Sequence, residues 1–186
     1  MIYITGGNGW LGLNIIKSII KGKAHDWGLE DDKLSTLILP GSSKKEIYEI
    51  SDKINIHEGN ILNTKELDDF LSEAEGSILF HTVGIIHPKR VSEFFEINRD
   101  GTRNLLDSSI KAGLKKVIIM SSNSPIGCND NKTDLFDESS DYNPYMNYGK
   151  SKMETQRFIN KKFDLKSTEK SGTRNYIREA DDLTGK

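Results

Sequence analysis

The chain has 186 residues, of which 26 are basic and 28 are acidic, so its formal net charge is −2. This balance excludes a strongly basic nucleic-acid binder and an acidic solvating tail protein, and the length favours one domain. The single cysteine, Cys128, cannot form an internal disulfide, which predicts a reducing, cytoplasmic location. No apolar run reaches the ~18 residues that span a bilayer, and the histidines lack metal-ligand spacing. We therefore predict neither a membrane segment nor a metal site.

Short β-branched runs alternate with helical stretches, which predicts βαβ units, a parallel sheet and the doubly wound strand order 3-2-1-4-5. The predicted strands cover residues 1–5, 34–39, 53–57, 77–82 and 116–120. The predicted helices cover 10–21, 43–50, a segment that opens with a capping box at 63–66, then 93–112 and 144–160. Loops are predicted at 23–33 and 121–143, and a charged, mobile tail at 161–186.

A glycine-rich turn follows the first strand directly and opens the first helix. Glycines let the backbone approach a pyrophosphate closely, and the helix amino terminus offers free N–H groups to its charge. The last glycine allows the helix to pack closely on the strand. This context favours dinucleotide binding over a glycine-rich turn that binds nothing. The candidate cofactor-binding residues of this turn are Gly6, Gly7, Asn8, Gly9, Trp10, Leu11 and Gly12.

Tyr148 and Lys152 are four residues apart, which places a phenol and an ammonium on one face of the last predicted helix. A free tyrosine titrates near pH 10, so a role as base near neutrality requires a shift worth ~3–4 kcal/mol. One cation about 4 Å away supplies roughly that energy at an effective dielectric constant of 20. The pair can therefore form a general acid/base, although an ordinary polar helix could show the same spacing.

Five motifs occur in a characteristic order along the chain. They are the turn at 5–12, Phe-His-Thr-Val-Gly at 80–84, Asn-Arg-Asp-Gly-Thr-Arg-Asn-Leu-Leu at 98–106, Val-Ile-Ile-Met-Ser-Ser at 117–122, and Tyr-Gly-Lys-Ser-Lys at 148–152. Over residues 1–158 the sequence resembles the extended short-chain dehydrogenase/reductase superfamily, in its NAD-dependent epimerase/dehydratase and 3β-hydroxysteroid dehydrogenase branches. The resemblance implies a Rossmann domain over residues 1–160.

The resemblance also implies the roles of the reactive side chains. In the family the tyrosine is the acid/base, which corresponds to Tyr148, and the lysine four residues later lowers its pKa and holds the nicotinamide ribose, which corresponds to Lys152. A serine after the fifth strand bonds the reacting oxygen. The matching residue is Ser122, with Ser121 and Ser124 as alternatives. The implied reaction is hydride transfer between a substrate carbinol carbon and nicotinamide.

Two further segments are expected to contact the cofactor. The family places an aspartate after the third strand, near the adenine, where this chain has Asn60 followed by Ile61. Thr82, Val83 and Gly84 follow the fourth strand and are expected near the ribose and pyrophosphate.

Three other polar positions within the motifs are interpreted as structural. His81 is a strand-end packing residue, and Asn98 and Thr102 tie the long helix to the fourth and fifth strands.

The choice between NAD and NADP depends on the end of the second strand, where an acidic residue would bind the ribose 2′-hydroxyl. This chain has no carboxylate there, and Ser42, Lys44 and Lys45 follow. These polar and basic residues slightly favour binding of the 2′-phosphate of NADP. A solvent-exposed start of the next helix explains their presence almost equally well.

The family's substrate-binding lobe, which follows the last predicted helix, is not recognisable in this sequence. One hypothesis is therefore an NAD(P)-dependent oxidoreductase, epimerase or dehydratase acting on a nucleotide sugar or a related alcohol or ketone. A dinucleotide-binding fragment with little turnover and a scaffold that binds no dinucleotide are the alternatives. Relatives often dimerise through the long helix and the Tyr-Lys helix, so the resemblance also implies a homodimer. No nucleic-acid or membrane partner is expected.

Overall fold

The computed structural model of the chain describes residues 1–23, 33–128 and 140–163. Most of the predicted loop at 23–33, the central part of the loop at 121–143 and nearly all of the predicted tail at 161–186 lie outside these ranges. Within them, no helix is both long enough and apolar enough to cross a membrane. The same ranges contain no cluster of acidic, histidine or cysteine side chains that could bind a metal ion.

Five parallel strands form one sheet in the order β3-β2-β1-β4-β5, as predicted. The strands are β1 (Ile2–Thr5), β2 (Leu34–Ile38), β3 (Asn55–Glu58), β4 (Ile78–His81) and β5 (Lys116–Ile119). The central strands β1 and β2 are buried along their whole length, which explains their nearly continuous apolar sequences. Because all strands run the same way, their carboxyl ends share one edge, where ligands bind in open α/β sheets.

Helices cover both faces of the sheet. They are α1 (Trp10–Ser18), α2 (Lys45–Tyr48), α3 (Thr64–Phe70), α4 (Ser92–Phe95), α5 (Thr102–Lys111) and α6 (Asn147–Lys162). One core contains Ile2, Ile4 and Ile16, with α1 and α2 against the sheet. The other core contains Tyr3 and Leu105, with α3, α5 and α6 on the opposite face. Successive residues of β1 thus point into different cores, which confirms the doubly wound architecture.

The long helix predicted at 93–112 is divided by a π-helical segment, Glu96–Gly101, between α4 and α5. The segment ends at Gly101, where a β-carbon would overlap the side chain of Ile61. Close packing on Ile61 therefore explains why a glycine occurs inside this helix. A π-helical segment of six residues is little more than one turn, which is too short for the apolar pattern of the sequence to reveal.

Two other helix boundaries differ from the prediction. The last helix begins at Asn147 and not at Pro144, because Met146 is still extended, with φ −126° and ψ 160°. The same helix continues to Lys162, two residues beyond the predicted end. After α1, the chain forms a π-helical turn at Ile19–Lys23, and within this turn Gly22 departs from helical geometry, with φ 81°. Gly22 therefore ends the first helix, as predicted.

The predicted capping box exists in a modified form. The side chain of Asn63 accepts hydrogen bonds from the backbone N–H groups of Lys65 and Glu66, so it caps α3. The Glu66 carboxylate accepts from the backbone N–H of Asn60 at 2.7 Å. In a standard box this carboxylate would bond the capping residue's own N–H. Here it fixes the loop that connects β3 to α3.

Candidate functional site

The glycine turn lies at the carboxyl end of β1, as predicted, and packs too tightly for side chains. A β-carbon at Gly7 would overlap the Thr36 hydroxyl of β2, and one at Gly12 would overlap the carbonyl oxygen of Gly6. Gly6 itself has φ 81°, a left-handed conformation that glycine adopts without strain. These contacts hold α1 directly behind the turn, with its free N–H groups at the edge of the sheet.

The amino terminus of α1 presents backbone groups and not side-chain caps. Gly9 is the N-cap residue and supplies no side-chain hydrogen bond, and the first turn of the helix contains no acidic residue. The first helical residue, Trp10, is 80% exposed. A helix amino terminus without a side-chain cap or an acidic residue keeps its partial positive charge and its free backbone N–H donors. Both favour binding of a phosphate group. Among the other predicted residues of the turn, Asn8 and Leu11 are half-buried.

The segment after β4 packs against the glycine turn. The Thr82 hydroxyl donates to the Thr5 carbonyl at 2.8 Å, and the Val83 side chain lies against Gly6. Gly84 follows, and the position of a β-carbon there would lie 3.5 Å from Lys152 Nζ. The three residues predicted after β4 therefore connect the glycine turn to the lysine of α6.

Lys152 is buried, with 7% of its surface exposed, although it carries an ammonium group. Its Nζ donates to the carbonyl of Met120, at the end of β5, at 3.2 Å. Burial lowers the pKa of the Lys152 ammonium to about 8. The structure thus places a cation, still mostly charged at neutral pH, at the carboxyl edge between β4 and β5.

Tyr148 and Ser122 occupy the same region in separate elements. Tyr148 is half-buried in the first turn of α6, and its ring lies 6.2 Å from the ring of Phe94 in α4, centroid to centroid. The Ser122 hydroxyl donates to Ser124 Oγ at 3.0 Å and accepts from the Ser124 N–H at 3.1 Å. The carbonyl of Ser124 abuts Gly149, the residue after Tyr148. The serine loop and the tyrosine are therefore packed together through the backbone.

The alternative residue Ser121 has a different partner. Its hydroxyl accepts a hydrogen bond from the amide of Gln156 on α6.

The two residues predicted near the adenine differ in what they can offer. The Asn60 side-chain oxygen accepts from the backbone N–H of Leu62 at 2.9 Å, so it stabilises its own turn. The Ile61 side chain is buried in the core against Gly101. A ligand at this position would therefore meet the backbone of Ile61 and not its side chain.

The two lysines after β2 are paired with carboxylates. Lys44 forms an ion pair with Glu58 at the end of β3, and Lys45 lies 3.8 Å from the Glu49 carboxylate. The hydrogen bond from Lys44 lowers the pKa of the Glu58 carboxyl. Glu58 is an acidic group beside the second strand that the linear sequence does not place there, because it comes from the neighbouring strand.

His81 is buried and neutral. Its Nδ1 lies 2.6 Å from the hydroxyl of Thr5, and its Nε2 lies 3.0 Å from the hydroxyl of Thr102. Burial lowers the pKa of His81 to about 3, and the charge of Lys152 contributes to the same shift. The interpretation of His81 as a strand-end residue agrees with this placement, and so does the expected tie between Thr102 and β4.

The contact between Asn98 and α6 is not predicted by the sequence analysis. The Asn98 side chain bonds the backbone of Ile85, accepting from its N–H at 2.8 Å and donating to its carbonyl at 3.1 Å. It also donates to Ser151 Oγ at 3.0 Å. The sequence signal for it is a pair of small hydroxyl residues, Ser151 and Thr155, whose spacing of four places them on one face of α6. The structure shows that both are buried.

These features define a Rossmann-like α/β domain in which a glycine-rich turn and a buried lysine share the carboxyl edge of the sheet. The chain belongs to the 3-beta hydroxysteroid dehydrogenase/isomerase family, whose family model matches residues 3–173.

Three known proteins illustrate the similarity. An uncharacterised protein of Sinorhizobium fredii, y4nL, is 35% identical over 162 residues, which cover 86% of this chain and 45% of that protein. The sterol-4-alpha-carboxylate 3-dehydrogenase of Saccharomyces cerevisiae is 25% identical over 125 residues, which cover 65% of this chain and 34% of the enzyme. A solved structure of the dTDP-glucose 4,6-dehydratase DesIV from Streptomyces venezuelae, with NAD bound, superposes with a TM-score of 0.75. It is 23% identical, and the match covers 88% of this chain and 52% of the dehydratase.

This chain therefore spans about half, or less, of the length of the relatives it matches. The part of the chain that the family model matches, residues 3–173, contains the glycine turn and the Tyr148–Lys152 helix.

The buried histidine predicts a specific loss of stability in acid. Because the folded-state pKa of His81 is about 3 and its unfolded value is near 6.5, its contribution is complete above pH 6.5 and disappears as the pH falls toward 3. Between pH 7 and pH 5 this single group is expected to cost about 2 kcal/mol of unfolding free energy. Urea unfolding at both pH values measures the loss.

A His81→Gln variant provides the control, because glutamine offers a donor and an acceptor but does not titrate. Its unfolding free energy is expected to fall by about 2 kcal/mol less than that of the wild type between the same pH values. Equal acid sensitivity in both proteins would contradict the assignment of a neutral buried imidazole.

Proposed function

We propose that this chain carries the nucleotide-binding and proton-transfer half of an NAD(P)-dependent oxidoreductase-type enzyme. Its substrate class is a nucleotide sugar or a related alcohol or ketone. The observation that carries the proposal is that the glycine turn and Lys152 lie at one edge of the sheet, linked through the residues after β4. The similarity to a sterol dehydrogenase and an NAD-bound sugar-nucleotide dehydratase supports the reaction class.

A dinucleotide fits the residues at this edge. The turn has no space for β-carbons at Gly7 or Gly12, so backbone N–H groups and the start of α1 form its surface. Such a surface accepts a pyrophosphate without steric obstruction. Gly6, Gly9 and Asn8 would complete the cradle, and Thr82, Val83 and Gly84 would line the ribose. The backbone of Ile61 and the turn formed by Asn60 would adjoin the adenine.

The reactive end of the site would lie beside Tyr148 and Lys152. When bound, the nicotinamide ring supplies hydride transfer. Tyr148 would hold and move the hydroxyl proton of the substrate, and the Lys152 ammonium would stabilise the phenolate and bond the nicotinamide ribose. Ser122 would donate to the reacting oxygen after its hydroxyl turns away from Ser124. Each role uses a group at the carboxyl edge of the sheet.

Nucleotide binding can be tested at a glycine that has no space for a methyl group. We expect Gly12→Ala to weaken NADH binding by at least about tenfold, which corresponds to about 1.4 kcal/mol, because the new methyl group displaces the Gly6 carbonyl. Energy transfer from the exposed Trp10 to bound NADH provides the signal. A Trp27→Phe background leaves Trp10 as the single tryptophan.

The matched control is Gly22→Ala, at the far end of the first helix, where φ is 81° and no atom lies within 4 Å of the new methyl group. This variant is strained and less stable, but its affinity for NADH should equal that of the wild type. Failure of the wild-type chain to bind either NADH or NADPH at millimolar concentration would refute the proposed function.

The two residues of the acid/base pair are expected to separate binding from chemistry. Lys152→Met should weaken NADH binding by about tenfold, because it removes the cation beside the ribose. Tyr148→Phe should leave binding within about twofold but lower cofactor reduction by a factor of roughly 10²–10⁴. Calorimetry measures binding, and absorbance at the reduced nicotinamide band measures turnover with a panel of sugar nucleotides and alcohols.

Lys150→Met is the control for charge, since Lys150 is exposed on the same helix. It should change neither quantity. Full turnover by Tyr148→Phe would contradict the assigned base, and binding without turnover by the wild type would favour the dinucleotide-binding fragment.

The preference for a 2′-phosphate can be tested through Glu58. If Lys44 serves a 2′-phosphate, its partner Glu58 competes with that phosphate, so Glu58→Gln should tighten NADPH binding by roughly threefold or more and leave NADH unchanged. The control is Glu75→Gln, beside Gly113 at the opposite edge of the sheet. Unchanged NADPH affinity in Glu58→Gln would exclude Lys44 from the 2′-phosphate.

A further inference from the structure

A line of hydrogen bonds between buried polar groups leaves the end of β1 and crosses the sheet edge. It begins at the hydroxyl of Thr5, which lies 2.6 Å from His81 Nδ1. From His81 Nε2 the line reaches Thr102 Oγ1 at 3.0 Å, and that hydroxyl donates to the Asn98 carbonyl at 2.7 Å. All four residues are at most 2% exposed. The line therefore runs through the buried interior of the domain.

The same line continues into α6 through the side chain of Asn98. Asn98 Nδ2 donates to Ser151 Oγ at 3.0 Å, and Ser151 Oγ donates to the carbonyl of Tyr148 at 2.8 Å. One end is thus the residue before Gly6, and the other is the backbone of Tyr148. The side chains of this line form what we call the polar strut, which consists of Thr5, His81, Thr102, Asn98 and Ser151.

Every donor of the polar strut points the same way. Thr102 gives its only hydroxyl proton to Asn98, so it must accept from His81, and the imidazole must carry its proton on Nε2. Nδ1 is then the acceptor for the Thr5 hydroxyl. Hydrogen bonds aligned in one direction polarise and strengthen each other in a low-dielectric interior. Removing one hydroxyl therefore interrupts the whole line and not only its own bond.

Asn98 also connects the strut to the surroundings of Lys152. Its side chain bonds both backbone groups of Ile85, and its Oδ1 and Lys152 Nζ both lie 3.5 Å from the position a β-carbon would take on Gly84. The same asparagine thus fixes the segment after β4 and the first turns of α6. These are the elements that would position the nicotinamide ribose in the proposed function.

We propose that the polar strut mechanically couples the glycine turn to the Tyr148–Lys152 helix, with His81 and Thr102 as positioning residues for a bound nucleotide that they do not touch. This inference rests on the proposed function for its ligand, but the coupling itself is a property of the chain alone. It predicts that removing one hydrogen bond in the middle of the strut loosens the backbone both at the glycine turn and at the start of α6.

The test uses two substitutions at Thr102 in the full chain. Thr102→Val keeps the shape but removes the hydroxyl, and Thr102→Ser keeps the hydroxyl. We expect Thr102→Val to weaken NADH binding about fivefold or more, and Thr102→Ser to restore it to within about twofold. Hydrogen–deuterium exchange followed by mass spectrometry should show faster exchange at 6–12 and at 147–152 in Thr102→Val, but not in Thr102→Ser.

Thr155→Val is the matched control for burial and lost hydroxyl. Thr155 Oγ1 lies 2.9 Å from the same Asn98 carbonyl, yet the strut does not pass through it. This variant should change exchange within α6 only and keep the wild-type affinity for NADH.

Different results distinguish the two proposals. Exchange that is faster only around residue 102 in Thr102→Val, or faster at 6–12 in Thr155→Val as well, would overturn the coupling. If wild-type NADH binding is absent, the proposed function fails, while the exchange at the two ends still decides whether the strut couples them.

Discussion

Contacts that only glycine permits at the end of β1 determine where every other part of the site can lie. Gly7 lies against Thr36 of β2 and Gly12 against the Gly6 carbonyl, so α1 starts immediately behind the strand. With larger residues the helix would move outward, and its N–H groups would leave the sheet edge. Gly101 serves the same purpose on the other face, where it lets the π-helical segment approach Ile61. The helical segments on both faces therefore approach the sheet closely at the carboxyl ends of its strands.

A buried ammonium at this edge is costly, and its surroundings show how the cost is limited. The Met120 carbonyl replaces part of the hydration that the Lys152 ammonium loses on burial. The remaining cost of burying the charge appears as the lowered pKa of Lys152. A buried charge whose hydrogen-bond partner is a neutral carbonyl lowers stability, because the carbonyl replaces only part of the lost hydration. The presence of this ammonium is thus better explained by what it can bind than by what it contributes to folding. The neutral state of His81 is part of the same compromise, because a second cation there would face Lys152.

The sequence was sufficient for the elements whose pattern is local. The strand order, the glycine turn, the cap at Asn63 and the stop at Gly22 follow from apolar periodicity and from residues with special backbone geometry, and the structure confirms them. It was insufficient where the backbone departs from a regular period, as in the π-helical segment, or where the start of a helix depends on packing. Pro144 is well suited to a first helical turn, yet the contacts between Gly149 and the serine loop accompany a helix that begins at Asn147.

The polar interior could not be predicted for a different reason, which is distance along the chain. Thr5 and His81 are 76 residues apart, and Asn98 and Ser151 are 53 apart, so no periodic pattern relates them. The same limit applies to Lys44, whose partner Glu58 is on the adjacent strand. Family motifs mark most of these residues individually, but a motif does not reveal that they share hydrogen bonds. Since a buried donor without a partner costs more than a satisfied one gains, each of these residues constrains the others. Four of the five motifs are therefore best understood as one hydrogen-bonded unit, although the sequence shows each motif separately.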